Sequence, residues 1–206
     1  MKRIVLLALL ALALPLAAFA DTDFSNTGGT ISGTSAGLTL SGSNLSTVIG
    51  MGLGTCSALV PCGSLGFTTG ALISGSVVTG GTFAAGGSFT ITGNGTDGLP
   101  TGAIFTGAFS SPVTWTPSGT VGVAGTIFYT LSGNVSGTLT NGTTTTSVAG
   151  VTIQATFNTG KGGFSGMANL ASGDTVVAPV PEPGTLGLLG TGLVGLAGVI
   201  RRKLKA

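Results

Sequence analysis

Between Asp21 and Ala178 the chain alternates short apolar runs with hydroxyl-bearing and glycine positions. The clearest runs are Thr82-Phe83, Ser88–Thr92, Ala103–Thr106, Val113–Thr116, Thr126–Leu131 and Val151–Phe157. Each has β-branched and aromatic residues at a period of two, and Gly-Asn-Gly, Ser-Gly-Asn or Asn-Gly separates them, which predicts strands of an antiparallel sheet. Asn141-Gly142 is the strongest hairpin signal, because both residue types tolerate positive φ. Ser25–Gly66 is poorer in aromatics, so strands there, such as Leu38-Thr39-Leu40, are more weakly marked. No body segment has a helical period. Runs every ten or so residues predict an all-β body, an antiparallel β-sandwich or flattened barrel. The alternative, a β-solenoid, lacks its fixed repeat across Gly80–Thr175.

The two ends follow a different pattern. Lys2 and Arg3 precede an apolar stretch from Ile4 to Ala18, and Ala18-Phe19-Ala20 stand ahead of Asp21. A basic head, an apolar middle and small residues one and three positions before a cut describe a secretory signal peptide, residues 1–20, cleaved between Ala20 and Asp21; an uncleaved anchor is the alternative. At the other end, Thr175–Pro179 reads as a last strand fading into a Pro-rich linker, 179–184. An apolar glycine-studded run, Leu186–Ile200, follows, and then Arg201, Arg202, Lys203 and Lys205. Residues 185–200 predict a single transmembrane helix, about 24 Å long at 1.5 Å per residue, which spans with snorkelling cations and local thinning. Cations at both ends favour the cytoplasmic side and leave 21–178 outside. Fold class is therefore an all-β secreted body between an N-terminal signal helix and a C-terminal membrane helix with a basic tail, 185–206.

The order of Pro181, Glu182, Pro183 and Gly184, then the apolar span, then the basic cluster resembles the PEP-CTERM sorting signal of Gram-negative bacteria, also labelled the ice-binding protein C-terminal domain. The resemblance covers about an eighth of the chain. It implies that an exosortase, a membrane protease-transpeptidase, cuts near Pro-Glu-Pro. The body is then delivered from transient inner-membrane anchorage to the cell surface or an exopolysaccharide-containing extracellular matrix. It implies nothing about activity in the body.

Charge narrows the function of residues 21–178 further. One cation, Lys161, stands against Asp21, Asp23, Asp97 and Asp174, a net of −3, so there is no basic surface for nucleic acid. Cys56 and Cys62 are the only cysteines; in an exported chain a pair this close most simply closes a small disulfide loop, with a metal or redox pair as the alternative. The chain has no histidine, so the serine-hydrolase-like Gly33–Gly37 lacks its usual base. Gly93–Gly98 has dinucleotide-fingerprint spacing, but strand rather than helix follows it, and it reads as a turn. A glycosidase or aspartic protease would need two of the four Asp residues face to face, with Asp97 and Asp174 as the pair open to convergence. Calcium at Asp97 and Asn94 would have too few oxygens. Asn44, Asn94, Asn134 and Asn141 fit the glycosylation triplet, which in a bacterial reading reflects composition. Thr143–Thr146 are contiguous rather than a ladder of alternate residues and give an ice-binding face no support. The expectation is a structural or adhesive exported protein with no catalytic residue, metal or cofactor, whose partners are the exosortase and the bilayer. The alternative is a secreted carbohydrate-binding or hydrolytic module.

Overall fold

The computed structural model describes residues 21–51, 56, 59–119, 127–141, 144–160 and 162–177. The expected signal and membrane helices lie outside the described residues. Twelve strands occur among the described residues: β1 Thr22–Thr27, β2 Thr30–Thr34, β3 Gly37–Ile49, β4 Gly63–Thr68, β5 Leu72–Ser76, β6 Gly80–Phe83, β7 Gly86–Asn94, β8 Thr101–Phe109, β9 Val113–Pro117, β10 Ile127–Asn141, β11 Thr144–Gly160 and β12 Met167–Val177. All pairings are antiparallel.

Several of these strands are halves of longer ones. β1 and β2 share one register against β12, with Thr22 opposite Val177, Asn26 opposite Gly173 and Thr30 opposite Asn169. Gly28 and Gly29 kink the strand between them at positive φ, and a Cβ on Gly29 would lie 2.5 Å from the Ser43 amide nitrogen, an approach only glycine permits. In the same way β4 continues into β5, β6 into β7 and β8 into β9, since Thr68 faces Ser88 as Ser74 faces Thr82, and Phe109 faces Val135 just before Thr114 faces Ser132. The result is eight long strands in an up-and-down meander. Junctions β1–β3, β3–β4, β4–β7, β7–β8, β8–β10, β10–β11 and β11–β12 follow chain order, and β12–β1 closes the ring. The sheet is thus a closed barrel, neither open sandwich nor solenoid. One rim carries the start of β1, the end of β12 and the β3–β4 and β7–β8 connections. The opposite rim carries the turns at 35–36 and 77–79.

Alternation sorts side chains into the bore. Phe67, Phe89, Phe105 and Phe109 are buried and pack with ring centroids 5.6 to 6.1 Å apart, three of the four contacts edge to face. Towards the opposite rim Trp115 stacks on Tyr129 at 4.7 Å and meets Phe157 and Phe164 at 5.6 and 5.3 Å. An eight-stranded barrel is just wide enough for side chains to fill, and large rings do so with favourable edge geometry. The polar ends of the second cluster are met as well. Trp115 Nε1 donates to the Val77 carbonyl at 2.9 Å, Tyr129 Oη donates to the Val78 carbonyl, and Tyr129 Oη accepts from the Phe164 amide at 3.2 Å. The β5–β6 turn is thereby drawn over that end of the bore.

The outer wall is hydroxyl-rich, as along Thr90, Thr106, Thr138 and Ser147, which lie opposite one another on successive strands. Because the core rather than the wall carries the apolar area, Trp115→Ala should cost about 3 to 5 kcal/mol. Thr116→Ala, on the exposed face, should stay within about 0.5 kcal/mol. Urea unfolding followed by far-ultraviolet circular dichroism measures both, and equal losses would contradict the inside–outside assignment.

Candidate functional site

Four of the expected positions, Pro181, Glu182, Pro183 and Gly184, lie outside the described residues, as do Arg201, Arg202, Lys203, Lys205, Ala18 and Ala20. Asp21 is described and exposed, one residue before β1. No helix among the described residues is long and apolar enough to cross a membrane. What the structure adds is the local setting of these segments. Thr22 and Val177 are directly opposed, so the chain enters and leaves the barrel at neighbouring points about 5 Å apart.

The remaining singled-out positions scatter around the rims. Cys56 and Cys62 are joined by a disulfide with Cα atoms 5.5 Å apart, both buried in the β3–β4 connection; the sulfurs are therefore not free to ligate a metal with the neighbouring Asp97. Gly93–Gly98 forms the β7–β8 turn, with Asp97 at φ 52°. Within it Asn94 Nδ2 donates to the Pro61 carbonyl at 2.8 Å and Asn94 Oδ1 accepts from the Thr96 amide at 3.0 Å, so the Asn side chain ties the turn to the disulfide loop. Gly33–Gly37 is the β2–β3 hairpin, with no following helix. Asn141 pairs with Thr144, which puts the β10–β11 connection at 142–143, one position beyond the Asn-Gly pair.

The carboxylates that converge are Asp23 and Asp174, not Asp97 and Asp174. They sit on the outer face of β1 and β12, at the junction that closes the barrel. A concavity there is lined by both, with Ser25, Ser46, Gln154 and Ser172. Ser25 Oγ donates to Asp174 Oδ1 at 3.3 Å. Asp23 Oδ1 is shut off from solvent without a hydrogen-bond partner, and a proton shared by the two carboxyls would supply one. Burial first, then that hydrogen bond with Asp174 and the Asp174 charge, push the Asp23 carboxyl up to about 6. The inner face of the same junction is polar too. Asn26 Nδ2 donates to Ser43 Oγ at 2.6 Å, while Asn26 Oδ1 and Thr175 Oγ1 are buried without partners. The Asp pair was not legible in the sequence, because its members lie 151 positions apart and only the register of β1 on β12 brings them together.

The sign of the pH dependence follows directly. A carboxyl whose folded pKa lies above its unfolded one holds an extra proton in the folded state between the two values, so stability falls as pH rises through that window. The barrel should therefore unfold at a higher temperature at pH 5 than at pH 7, and Asp23→Asn should flatten that difference and raise the pH 7 midpoint. Thermal melts of both proteins across pH 4 to 8 check this; an unchanged slope in the variant would remove the pair from the account.

With the exit of β12 fixed next to the start of β1, the segment that follows can be identified. Residues 179–203 match the PEP-CTERM protein-sorting motif. No characterised protein and no solved structure matches the chain. The motif is one that an exosortase, itself a membrane protein, recognises, and it entails export with transient membrane anchoring. The chain accordingly carries a PEP-CTERM sorting signal, which supports an exported, exosortase-sorted protein, behind a body that is an antiparallel β-barrel.

Proposed function

We propose that the barrel is a non-catalytic module displayed at the cell surface or in the extracellular matrix, with a structural or adhesive role. The observation that carries this reading is the fit between the fold and its two flanking segments. The described barrel begins at Thr22, two residues after the expected signal cut, and ends at Val177, four residues before Pro181. Removal of both flanks leaves every strand and every junction in place, so processing would release a finished object rather than a fragment.

The wall supports a passive role. Among the described residues every aromatic side chain is buried except Phe128, which is partly covered. A carbohydrate-binding surface of the usual kind stacks sugars on exposed rings, and a hydrolase would need a cleft that sets two carboxyls apart in pKa beneath such a platform. The Asp23–Asp174 pair has no exposed ring among the residues lining its concavity, which favours the structural reading over the carbohydrate module. Away from the Asp23–Asp174 pair the wall is dominated by hydroxyls, which hydrogen-bond to water or to polysaccharide hydroxyls without titrating.

In the native host, Pro181→Ala together with Glu182→Ala should leave an untrimmed form in the membrane fraction and deplete the surface and matrix fractions, read by mass and by fractionation. Normal trimming and release of the variant would overturn the sorting step. Normal trimming of the natural protein, followed by recovery only from the periplasm, would overturn the display role.

A further inference from the structure

The barrel has two rims, and both present exposed aliphatic side chains. Met167, 65% exposed, stands at the start of β12 on one rim; on the other, Ile49 ends β3 and Leu59 and Val60 lie in the disulfide-closed β3–β4 connection, Leu59 being 94% exposed. Exposure alone does not choose between them. The register of β1 on β12 does, because Thr22 and Val177 both emerge at the rim that carries Ile49, Leu59 and Val60. Thr22 lies four positions after the end of the apolar stretch Ile4–Ala18, and Thr185 eight positions after Val177. The longer of the two connections, which contains Pro179, Pro181 and Pro183, could reach at most about 25 Å at the 3.1 Å per residue of an extended Pro-rich segment. Both flanks therefore meet the same rim, and after the expected signal cut the C-terminal one ties that rim to the membrane.

We infer that this rim faces the lipid bilayer while the protein is anchored, and rests on it through Ile49, Leu59 and Val60. The inference deepens the sorting reading and depends on it. A tether this short holds the rim at an effective concentration of about millimolar near the membrane, so three aliphatic side chains suffice where they would not recruit a free protein. The disulfide shortens the excursions of the loop that carries two of them. The charged groups described at this rim are the acids Asp21, Asp97 and Asp23, the last directly opposite Ile49, with no cation described beside them, which favours a zwitterionic surface over an anionic one. The bore axis then stands away from the membrane, and the capped end with Trp115 and Tyr129 points outward.

The test uses the full chain reconstituted in phosphatidylcholine vesicles in which part of the lipid is brominated near the headgroup. Leu59→Trp and Met167→Trp place reporters on the two rims at exposed positions, and the natural Trp115, 1% exposed, supplies a constant background that bromine does not reach, subtracted with the natural chain, and a check on folding. Bromine should quench the Leu59→Trp reporter about threefold or more as strongly as the Met167→Trp reporter, as expected for side chains at the headgroup level. Equal quenching, or stronger quenching at Met167→Trp, overturns the orientation while the anchoring reading stands. Failure of the natural chain to float with vesicles overturns the anchoring reading, and the orientation with it.

Discussion

Closure depends on one backbone pairing, that of β1 with β12. Every other junction joins long strands that follow one another in the chain, so a local hairpin or connection brings them together. The last joins Thr22 to Val177 across the whole body. Left open, it would expose two sheet edges with unpaired amides and carbonyls, the arrangement that templates association between copies. Side chains add little to this junction. Its outer face holds two carboxyls with no cation described near them, and its inner face holds Asn26, Ser43 and Thr175, two of which keep an unpartnered buried oxygen. Each such atom costs about 1 to 3 kcal/mol relative to a satisfied one. The seam is therefore held by its backbone ladder and by the packing of the strands around it, and its polar side chains weaken it.

The interior offsets that weakness. Two aromatic clusters occupy successive levels of the bore, and the consecutive strands opposite the seam contribute to them: Phe67 from β4, Phe89 from β7, Phe105 and Phe109 from β8, Trp115 from β9, Tyr129 from β10 and Phe157 from β11. A sequence that is 42% hydrophobic and 6% charged stays compatible with water because its aromatic area is enclosed, while Thr and Ser hydroxyls on the wall bond one another, as Thr106 with Thr138 at 3.1 Å and Thr68 with Ser88 at 2.9 Å. Such a wall avoids long-range charge repulsion, and it also gives no steering field towards a charged partner.

Much of this was legible from alternation. Val113–Thr116, Thr126–Leu131 and Val151–Phe157 became β9, β10 and β11 because β-branched and aromatic residues at every second position have one apolar face to bury. The fingerprint-like Gly93–Gly98 is a turn for the reason the chain suggests: strand follows it. The Ser25–Gly66 region was harder to read. β3, thirteen residues long, buries Leu38, Leu40, Leu45 and Val48, but Ser43 takes an inward position between them and a register shift interrupts the period. Closure was not legible, since alternation reports which side of a sheet a residue faces and not which strands meet. The approach of Asp23 to Asp174 is a consequence of closure and was hidden for the same reason. Only local turn chemistry and face preference are written in short windows; long-range register emerges from filling the bore.

Closure and sorting constrain each other. In a meander the loop-closure entropy of each hairpin is small, because few residues separate the partners, and the final junction then joins two edges already held on one curved sheet. That junction cannot form until β12 is available on the far side of the membrane, and β12 is the element nearest the Pro-Glu-Pro segment. Four residues beyond Val177 reach about 13 Å when fully extended, so a membrane enzyme acting near Pro181 works within a side chain or two of the closed rim. A cut upstream of Val177 would remove pairings from this junction, and one upstream of Asp174 would also leave Asp23 without its partner. A cut beyond it leaves the ladder whole. With the sorting segment placed just after the last paired residue, a cut there would leave every described pairing of this polar seam in place.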